Sequence, residues 1–245
     1  MSPTLYHVPR TISSPIVQVL HELDAMNSDS NPGGVKIETL TFDQLKSPEH
    51  LVRNPMGTSP AFTDDENGIA IWESGAVLTY ILETFDTEYK LHVKPSVAGL
   101  GHAGRSGGSS VAAKDRAIFL HLQQYIIATV YPFLASLFIH TLKPKKEQDQ
   151  AYIDNAKKKF TTLLGPTLVR FLGSSEFFMG DNISVIDLLV AKPLGNAQSL
   201  GLLQNFPTLH QLFHKIQCRP SYAIAYKEKV DNCIECRSLV LIPGS

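Results

Sequence analysis

Residues 4–23 read TLYHVPRTISSPIVQVLHEL, and this stretch sets the order of the first elements. Thr4 to Val8 is a short apolar strand candidate. Pro15 suits the first position of a helix because its missing N–H costs nothing there, and Ser14 before it can cap the exposed amides. Ile16, Val19, Leu20 and Leu23 then fall on one face at helical spacing, the stripe that packs against a sheet. Val35 to Phe42 (VKIETLTF) alternates in its first half as a half-buried strand does, so the chain opens β-α-β.

Further along, Ala61-Phe62 and Ile69 to Trp72 flank Thr63 to Gly68 (TDDENG), turn formers between apolar pairs that predict a hairpin. A helix follows, with Val77, Tyr80, Ile81 and Phe85 at spacings of three and four and with Glu73 and Ser74 at its start. Asp115 to Leu142, Gln148 to Leu172, Val185 to Leu203, Thr208 to Gln217 and Pro220 to Lys229 all carry helical periodicity. Ser184 to Asp187 forms a capping box at the third of these boundaries. The expected architecture is an α/β unit over residues 1–88, a linker and insert over 89–114, an all-α unit over 115–232 and a tail over 233–245. Val97 to Ala113 is rich in Gly and Ser and reads as flexible.

At 245 residues the chain can hold two modest cores. Lys plus Arg total 22 against 23 for Asp plus Glu, which leaves no electrostatic footprint for nucleic acid or an acidic membrane. Cys218, Cys233 and Cys236 cannot framework a fold of this length, and the N-terminus has no secretory pattern, so a cytoplasmic setting is expected. Cys218 is expected to be buried. Cys233-Ile234-Glu235-Cys236 lacks both the strand-to-helix setting of a redox pair and the second pair of a zinc site, so no metal is expected. Ala117 to Leu142 has no charged residue and is long enough to span a bilayer. Its recurring His, Gln, Thr and Ser residues and Pro132 predict a kinked core helix rather than a membrane span.

Polar side chains gather where strands give way to helices: Thr11, Ser13 and Ser14 in one place, Glu73 and Ser74 in another. A helix N-terminus carries unpaired N–H groups and about half a positive charge, enough to hold a carboxylate or favour a thiolate. Asn54 to Pro60 (NPMGTSP) places two prolines around Gly57 just before a strand, with Ser59-Pro60 as a candidate cis bond.

Leu5 to Ser14, Asn54 to Pro60, Glu73-Ser74-Gly75-Ala76, Gly180 to Asp187 with Pro193-Leu194, and Arg219-Pro220-Ser221-Tyr222 together resemble the motifs of the glutathione transferase superfamily, in its order and spacing. The likeness runs from about residue 3 to residue 228. It implies a thioredoxin-like N-terminal domain, an all-helical C-terminal domain, a homodimer and an active site between the domains. It further implies that Glu73 and Ser74 hold the γ-glutamyl end of glutathione, while the main chain of Ser59 before Pro60 holds the cysteinyl part. A hydroxyl near the end of the first strand would then hydrogen-bond the thiolate: Thr11 ranks first and Ser13 second. Tyr6, inside the strand, has the structural role that alternation assigns it.

The position after Gly57, often Lys or Gln in the family, is Thr58 here, so another cation would serve the glycyl carboxylate. Lys46, His50 and Arg53 are near in sequence, with Arg53 put forward. Tyr125 and Tyr131 are expected to line a pocket for an apolar electrophile. The function implied is conjugation of reduced glutathione, a co-substrate with no bound cofactor, to electrophilic small molecules. A glutathione-dependent peroxidase or isomerase and a non-catalytic glutathione-binding or assembly protein are the alternatives.

Overall fold

The computed structural model describes residues 2–26, 28, 31, 33–95 and 110–227. Strands β1 (Thr4–His7), β2 (Lys36–Thr39), β3 (Ala61–Asp64) and β4 (Ile69–Trp72) form one mixed sheet in the order β2-β1-β3-β4. β2 is parallel to β1, with Leu5 opposite Ile37. β3 is antiparallel to β1, with Tyr6 opposite Ala61, and β4 is antiparallel to β3, with Ala61 opposite Trp72. Alternation puts Leu5 and His7 on one face and Tyr6 on the other. The Leu5 face lies under α1 (Ser14–Glu22) and α3 (Ser74–Phe85), where Ile16, Leu20, Val77 and Ile81 are fully buried with Phe62. Tyr6 packs on Val8, Leu40 and Leu45 across the sheet.

Some boundaries differ from those the sequence suggests. β2 ends at Thr39, and the Leu40 N–H closes the parallel ladder by donating to His7 O at 2.8 Å. The undefined middle holds α2 (Pro48–Arg53), which starts at Ser47 with its hydroxyl accepting from His50 N–H. β3 takes in Thr63 and Asp64 from the expected turn, because the Asp64 carboxylate ties the hairpin down by accepting from Asn67 Nδ2 (2.7 Å) and Tyr80 OH (3.0 Å).

The helical unit contains α4 (Ser110–Tyr125), α5 (Tyr131–Leu142), α6 (Gln150–Lys159), α7 (Gly165–Leu172), α8 (Val185–Ser199), α9 (Pro207–Gln217) and α10 (Pro220–Lys227). A π turn over Ile126–Val130 joins α4 to α5, and another over Phe160–Leu164 joins α6 to α7. Each precedes a proline, Pro132 or Pro166, which has no N–H to give and whose ring crowds the carbonyl four residues back; widening the turn relieves both. Residues 110–113, expected in the flexible insert, begin α4, while residues 96–109 of that insert and Cys233 and Cys236 of the tail lie outside the described residues.

Ala113–Leu142 is long and apolar enough, at mean hydropathy 1.6, to cross a membrane by length and composition. In the fold it packs on α8, and Phe119, Leu122, Ile126, Val130, Leu134 and Leu137 along it are buried. α8 starts at the expected capping box, where Asp187 accepts from Ser184 N–H (2.8 Å), Ser184 Oγ (2.7 Å) and Phe178 N–H (2.9 Å). Cys218 is exposed, not buried: the core stripe of α9 is Leu209, Leu212, Phe213 and Ile216, and a residue two beyond Ile216 falls on the far side.

The two units share one apolar core and several locks. Arg219 holds Glu22 of α1 through Nε (2.6 Å) and Nη2 (2.5 Å), and Ser221 donates to the same carboxylate. Gln123 Nε2 donates to Thr79 Oγ1 at 3.1 Å, joining α4 to α3.

Gly165 lies beneath the ring of Phe206, so that a Cβ there would sit 2.3 Å from Phe206 Cζ. Phe206 is itself held edge-on by Phe160, with ring centroids 5.7 Å apart. Overpacking costs about 1–3 kcal/mol, which outweighs the roughly 1 kcal/mol that Ala gains over Gly in a helix. Gly165→Ala is therefore expected to lower stability in urea unfolding, and adding Phe206→Leu is expected to recover much of the loss; strict additivity of the two changes would contradict this.

Candidate functional site

Strand register decides what meets at one end of the sheet. Tyr6 pairs with Ala61 and Ala61 with Trp72, so the residues after β1, before β3 and after β4 share an edge. Those residues are Val8 to Ser13, Ser59-Pro60 and Glu73-Ser74, and the N-termini of α1 and α3 arrive there with them. The Ser59-Pro60 bond is cis. Arg10 (φ 64°) and Glu73 (φ 75°) adopt the left-handed region without being glycine. Such backbone costs of order 1–3 kcal/mol and concentrates at functional sites.

Side chains satisfy both backbone groups of Val8. Its N–H donates to Ser59 Oγ at 3.1 Å, and its carbonyl accepts from Thr11 Oγ1 at 2.8 Å and Ser13 Oγ at 3.0 Å. Ser13 Oγ is the node of this cluster, 2.8 Å from Thr11 Oγ1, 3.1 Å from Ser59 Oγ and 2.7 Å from His7 Nδ1. Ser13 and His7 are fully buried, whereas Thr11 retains 8% exposure. Burial pushes the His7 imidazole down to about 4, so it is neutral at pH 7. Ser14 does not cap α1 through its side chain; the left-handed turn at Arg10 directs the Arg10 N–H to Ser14 Oγ at 2.8 Å instead.

The loop before Pro60 is held from α2 and the turn before it. Lys46 Nζ donates to Gly57 O (2.9 Å), while His50 Nε2 (2.8 Å) and Asn54 Nδ2 (2.9 Å) meet Thr58 O. Gly57 is required twice over: its φ is +59°, and a Cβ would lie 2.8 Å from Lys46 Nζ and 3.0 Å from Leu45 O. The Arg53 guanidinium sits 4.3 Å above the Tyr6 ring on the sheet's other face, apart from the Thr11 cluster. At the start of α3, Glu73 is exposed and Ser74 buried, and Gly75 faces Ile127 and Gln124 of the helical unit.

The two expected pocket tyrosines stand on either side of the π turn between α4 and α5. Tyr125 lies two residues past Gln123, on the opposite side of the helix, and packs its ring against His121 and Phe171 at 6.4 and 6.2 Å. Its expected place in the cleft is thereby corrected. Tyr131 opens α5 just after the π turn, and its hydroxyl interacts electrostatically with that of Tyr226. Arg10 Nε donates to Tyr226 O at 3.0 Å, which fastens α10 to the loop after β1, and Tyr226 stacks on Tyr222 at 4.2 Å. Burial raises the Tyr222 hydroxyl to about 12 and keeps Tyr226 protonated as well.

His7 and the Arg10–Tyr226 contact were missed by the sequence reading. Alternation could have exposed the first, since a histidine on the Leu5 face is buried and needs polar partners. Among the described residues no group of three or more His, Cys, Asp or Glu could hold a metal ion. Surface cavities of about 430 and 350 Å³ open elsewhere, between α7 and α9 and around Gly201, and neither touches the cluster.

A thioredoxin-like sheet whose strand ends and helix N-termini converge on buried hydroxyls, joined to an all-helical unit, is the two-unit arrangement of the glutathione transferase fold. The family described as "Glutathione S-transferase, N-terminal domain" matches residues 33–83, and "Glutathione S-transferase, C-terminal domain" matches residues 129–229. The chain belongs to the glutathione transferase superfamily. It is 25% identical to glutathione S-transferase D7 of Drosophila melanogaster over 211 residues, 84% of this chain and 80% of that one. It is 38% identical to glutathione S-transferase 1 of Schizosaccharomyces pombe over 77 residues, 31% of each. Among solved structures, glutathione transferase URE2P6 of Phanerochaete chrysosporium, in complex with oxidized glutathione, superposes with a TM-score of 0.72 at 20% identity, over 92% of this chain and 95% of that one. The N-terminal family match starts after the Thr11 cluster, so roles there rest on this chain's own geometry.

His7 has a consequence for stability. Unfolded, it takes up a proton near pH 6.5; folded, only near pH 4. Stability is therefore intact above pH 6.5 and falls as pH drops through that window, by roughly 3 kcal/mol in all. Unfolding free energies measured from pH 7.5 to pH 4 are expected to show this slope, and His7→Leu is expected to flatten it; an unchanged slope in His7→Leu would assign the acid sensitivity elsewhere.

Proposed function

We propose that this protein is a glutathione transferase that conjugates reduced glutathione, as its thiolate, to apolar electrophiles, with Thr11 as the hydroxyl that steadies the sulfur. One observation carries the reading: of the two hydroxyls in the turn into α1 that bond Val8 O, Thr11 keeps 8% exposure where Ser13 keeps none, and both stand at the N-terminus of α1 beside Pro60. Ser13 is fully enclosed and supports Thr11 from behind, and Tyr6 lies on the other face of the sheet. The residues 1–88 unit would bind the peptide and the helical unit would supply the wall facing it.

The energetic demand is modest. A thiol of pKa about 8.5 must fall by roughly two units to be mostly ionised at neutral pH, at about 1.4 kcal/mol per unit. One charge-assisted hydrogen bond at about 1.5–3 kcal/mol, with a helix N-terminus adding about 0.3–1 kcal/mol, is of that size. The thiol proton passes to solvent, and the thiolate then forms the bond to the electrophile's carbon while the leaving group departs. The protein's part is to lower the thiol pKa and to hold both reactants in attack geometry.

In this reading Glu73 and Ser74 receive the γ-glutamyl end at the start of α3, and the Ser59 main chain receives the cysteinyl part. For the glycyl carboxylate, Lys46 is better placed than Arg53: its ammonium is already at Gly57 O, next to Thr58, whereas Arg53 lies over Tyr6. Tyr131 and the α10 tyrosines border the electrophile. Family membership supports a homodimer and a cytoplasmic setting.

A specific observation favours a second reading, a binding protein without turnover: Thr11 spends its only proton on Val8 O. Turnover of a nitroaryl halide separates the two. The transferase reading expects retention on immobilised glutathione together with conjugation, and a fall in kcat/KM of roughly 10- to 100-fold in Thr11→Val, mostly in kcat. Retention with no turnover of nitroaryl halide or hydroperoxide would establish the binding protein, and turnover of hydroperoxide alone the peroxidase.

A further inference from the structure

The hydroxyls of Thr11, Ser13 and Ser59 own one proton each, yet five short contacts compete for them. These join His7 Nδ1 to Ser13 (2.7 Å), Thr11 to Ser13 (2.8 Å), Thr11 to Val8 O (2.8 Å), Ser13 to Val8 O (3.0 Å) and Ser59 to Ser13 (3.1 Å). Ser59 already accepts from Val8 N–H, which leaves its own proton for Ser13. With a bare Nδ1 facing Ser13, three protons fill three of the contacts. With a proton on Nδ1, four are filled, because the ring then donates to Ser13 instead of drawing on its proton.

The difference matters when sulfur arrives. For Thr11 to donate to the sulfur it must leave Val8 O, and a buried carbonyl stripped of its donor loses about as much as the new bond gains. The exchange is favourable only if another donor covers Val8 O. Ser13 is within reach at 3.0 Å, but only when its proton is aimed there, and a donor at Nδ1 is what turns that proton away from both the imidazole and Thr11 Oγ1, 2.8 Å away.

We propose that His7 is a positioning residue for the thiolate site: its Nδ1–H donates to Ser13 Oγ, Ser13 donates to Val8 O, and Thr11 is released to donate to the sulfur of bound glutathione. The inference rests on the thiolate reading above. Burial supports it, since an imidazole held neutral with its acidity shifted down to about 4 is a poor terminal acceptor for a thiol proton. His7 therefore works by directing hydroxyl protons, not by taking one up.

The test compares His7→Asn, whose amide N–H falls near the place of Nδ1–H, with His7→Leu, which has the same branched shape and no donor. Ultraviolet thiolate absorbance of the glutathione complex is titrated in both, in the wild type and in Thr11→Val, with glutathione affinity measured by calorimetry. His7→Leu is expected to raise the bound thiol's pKa by about one unit and to lower kcat, with affinity for glutathione changed less than about twofold. His7→Asn is expected to return the pKa towards the wild-type value. Should His7→Leu not fold, His7→Phe replaces it as the donor-free variant.

A donor-free variant that titrates like the wild type, or a His7→Asn that titrates like His7→Leu, overturns the role of His7. If the wild type itself leaves the thiol pKa at its value in water, the thiolate reading falls and this inference with it. If Thr11→Val removes the shift and the donor-free variant keeps it, the thiolate reading stands and His7 alone is excluded.

Discussion

Val8 stands where β1 has run out of sheet partners, and its peptide groups are nonetheless inside the protein. A buried N–H or carbonyl without a partner costs as much as a lost hydrogen bond, so the chain must supply side chains there. It supplies three: Ser59 to accept from the N–H, Thr11 and Ser13 to donate to the carbonyl. Because Ser59 comes from the loop before β3 and the other two from the turn into α1, satisfying one residue draws both segments to the same point. The α1 N-terminus, the Pro60 loop and the hydroxyl cluster are consequences of that one requirement.

The rest of the molecule holds this edge in place. Lys46, His50 and Asn54 take up the carbonyls of Gly57 and Thr58, which fixes the chain entering Ser59. From the other side, Arg10 reaches the carbonyl of Tyr226, while Arg219 and Ser221 grip Glu22 at the far end of α1. α10 is thus fastened at both ends of α1, and its tyrosines are kept against the loop that carries Thr11. The Glu22 carboxyl, opposed by burial but held down by the Arg219 and Ser221 hydrogen bonds and the Arg219 charge, stays ionised below the ordinary carboxylate range. This lock therefore loosens only under strong acid.

Much of this was legible in the chain itself. The apolar stretch at residues 4–8, the Pro15 start of α1, the TDDENG turn and the Ser184 box each rest on local rules, and the structure places an element at each. Convergence of Thr11, Ser13 and Ser59 could be anticipated from motif order. Their bonding could not, because it depends on a path that brings Ser59 to Ser13 across a sequence separation of 46. His7 escaped notice for the same reason: a histidine in an apolar strand acquires meaning only when its buried partner is known. Tyr125 shows the opposite failure, since an offset of two residues from Gln123 decides whether an aromatic on a long helix meets the cleft or the bundle. Cys218 was misjudged because its place beyond the α9 stripe outweighs the general preference of cysteine for the interior.

The central claim is that the sulfur of glutathione rests against the hydroxyl of Thr11 at the N-terminus of α1. A crystal structure of the protein soaked with reduced glutathione addresses it most directly. The account expects the sulfur within hydrogen-bond distance of Thr11 Oγ1, with Ser13 Oγ left as the donor to Val8 O. A sulfur lying against Tyr6 OH, or in solvent with Thr11 still bound to Val8 O, would contradict it.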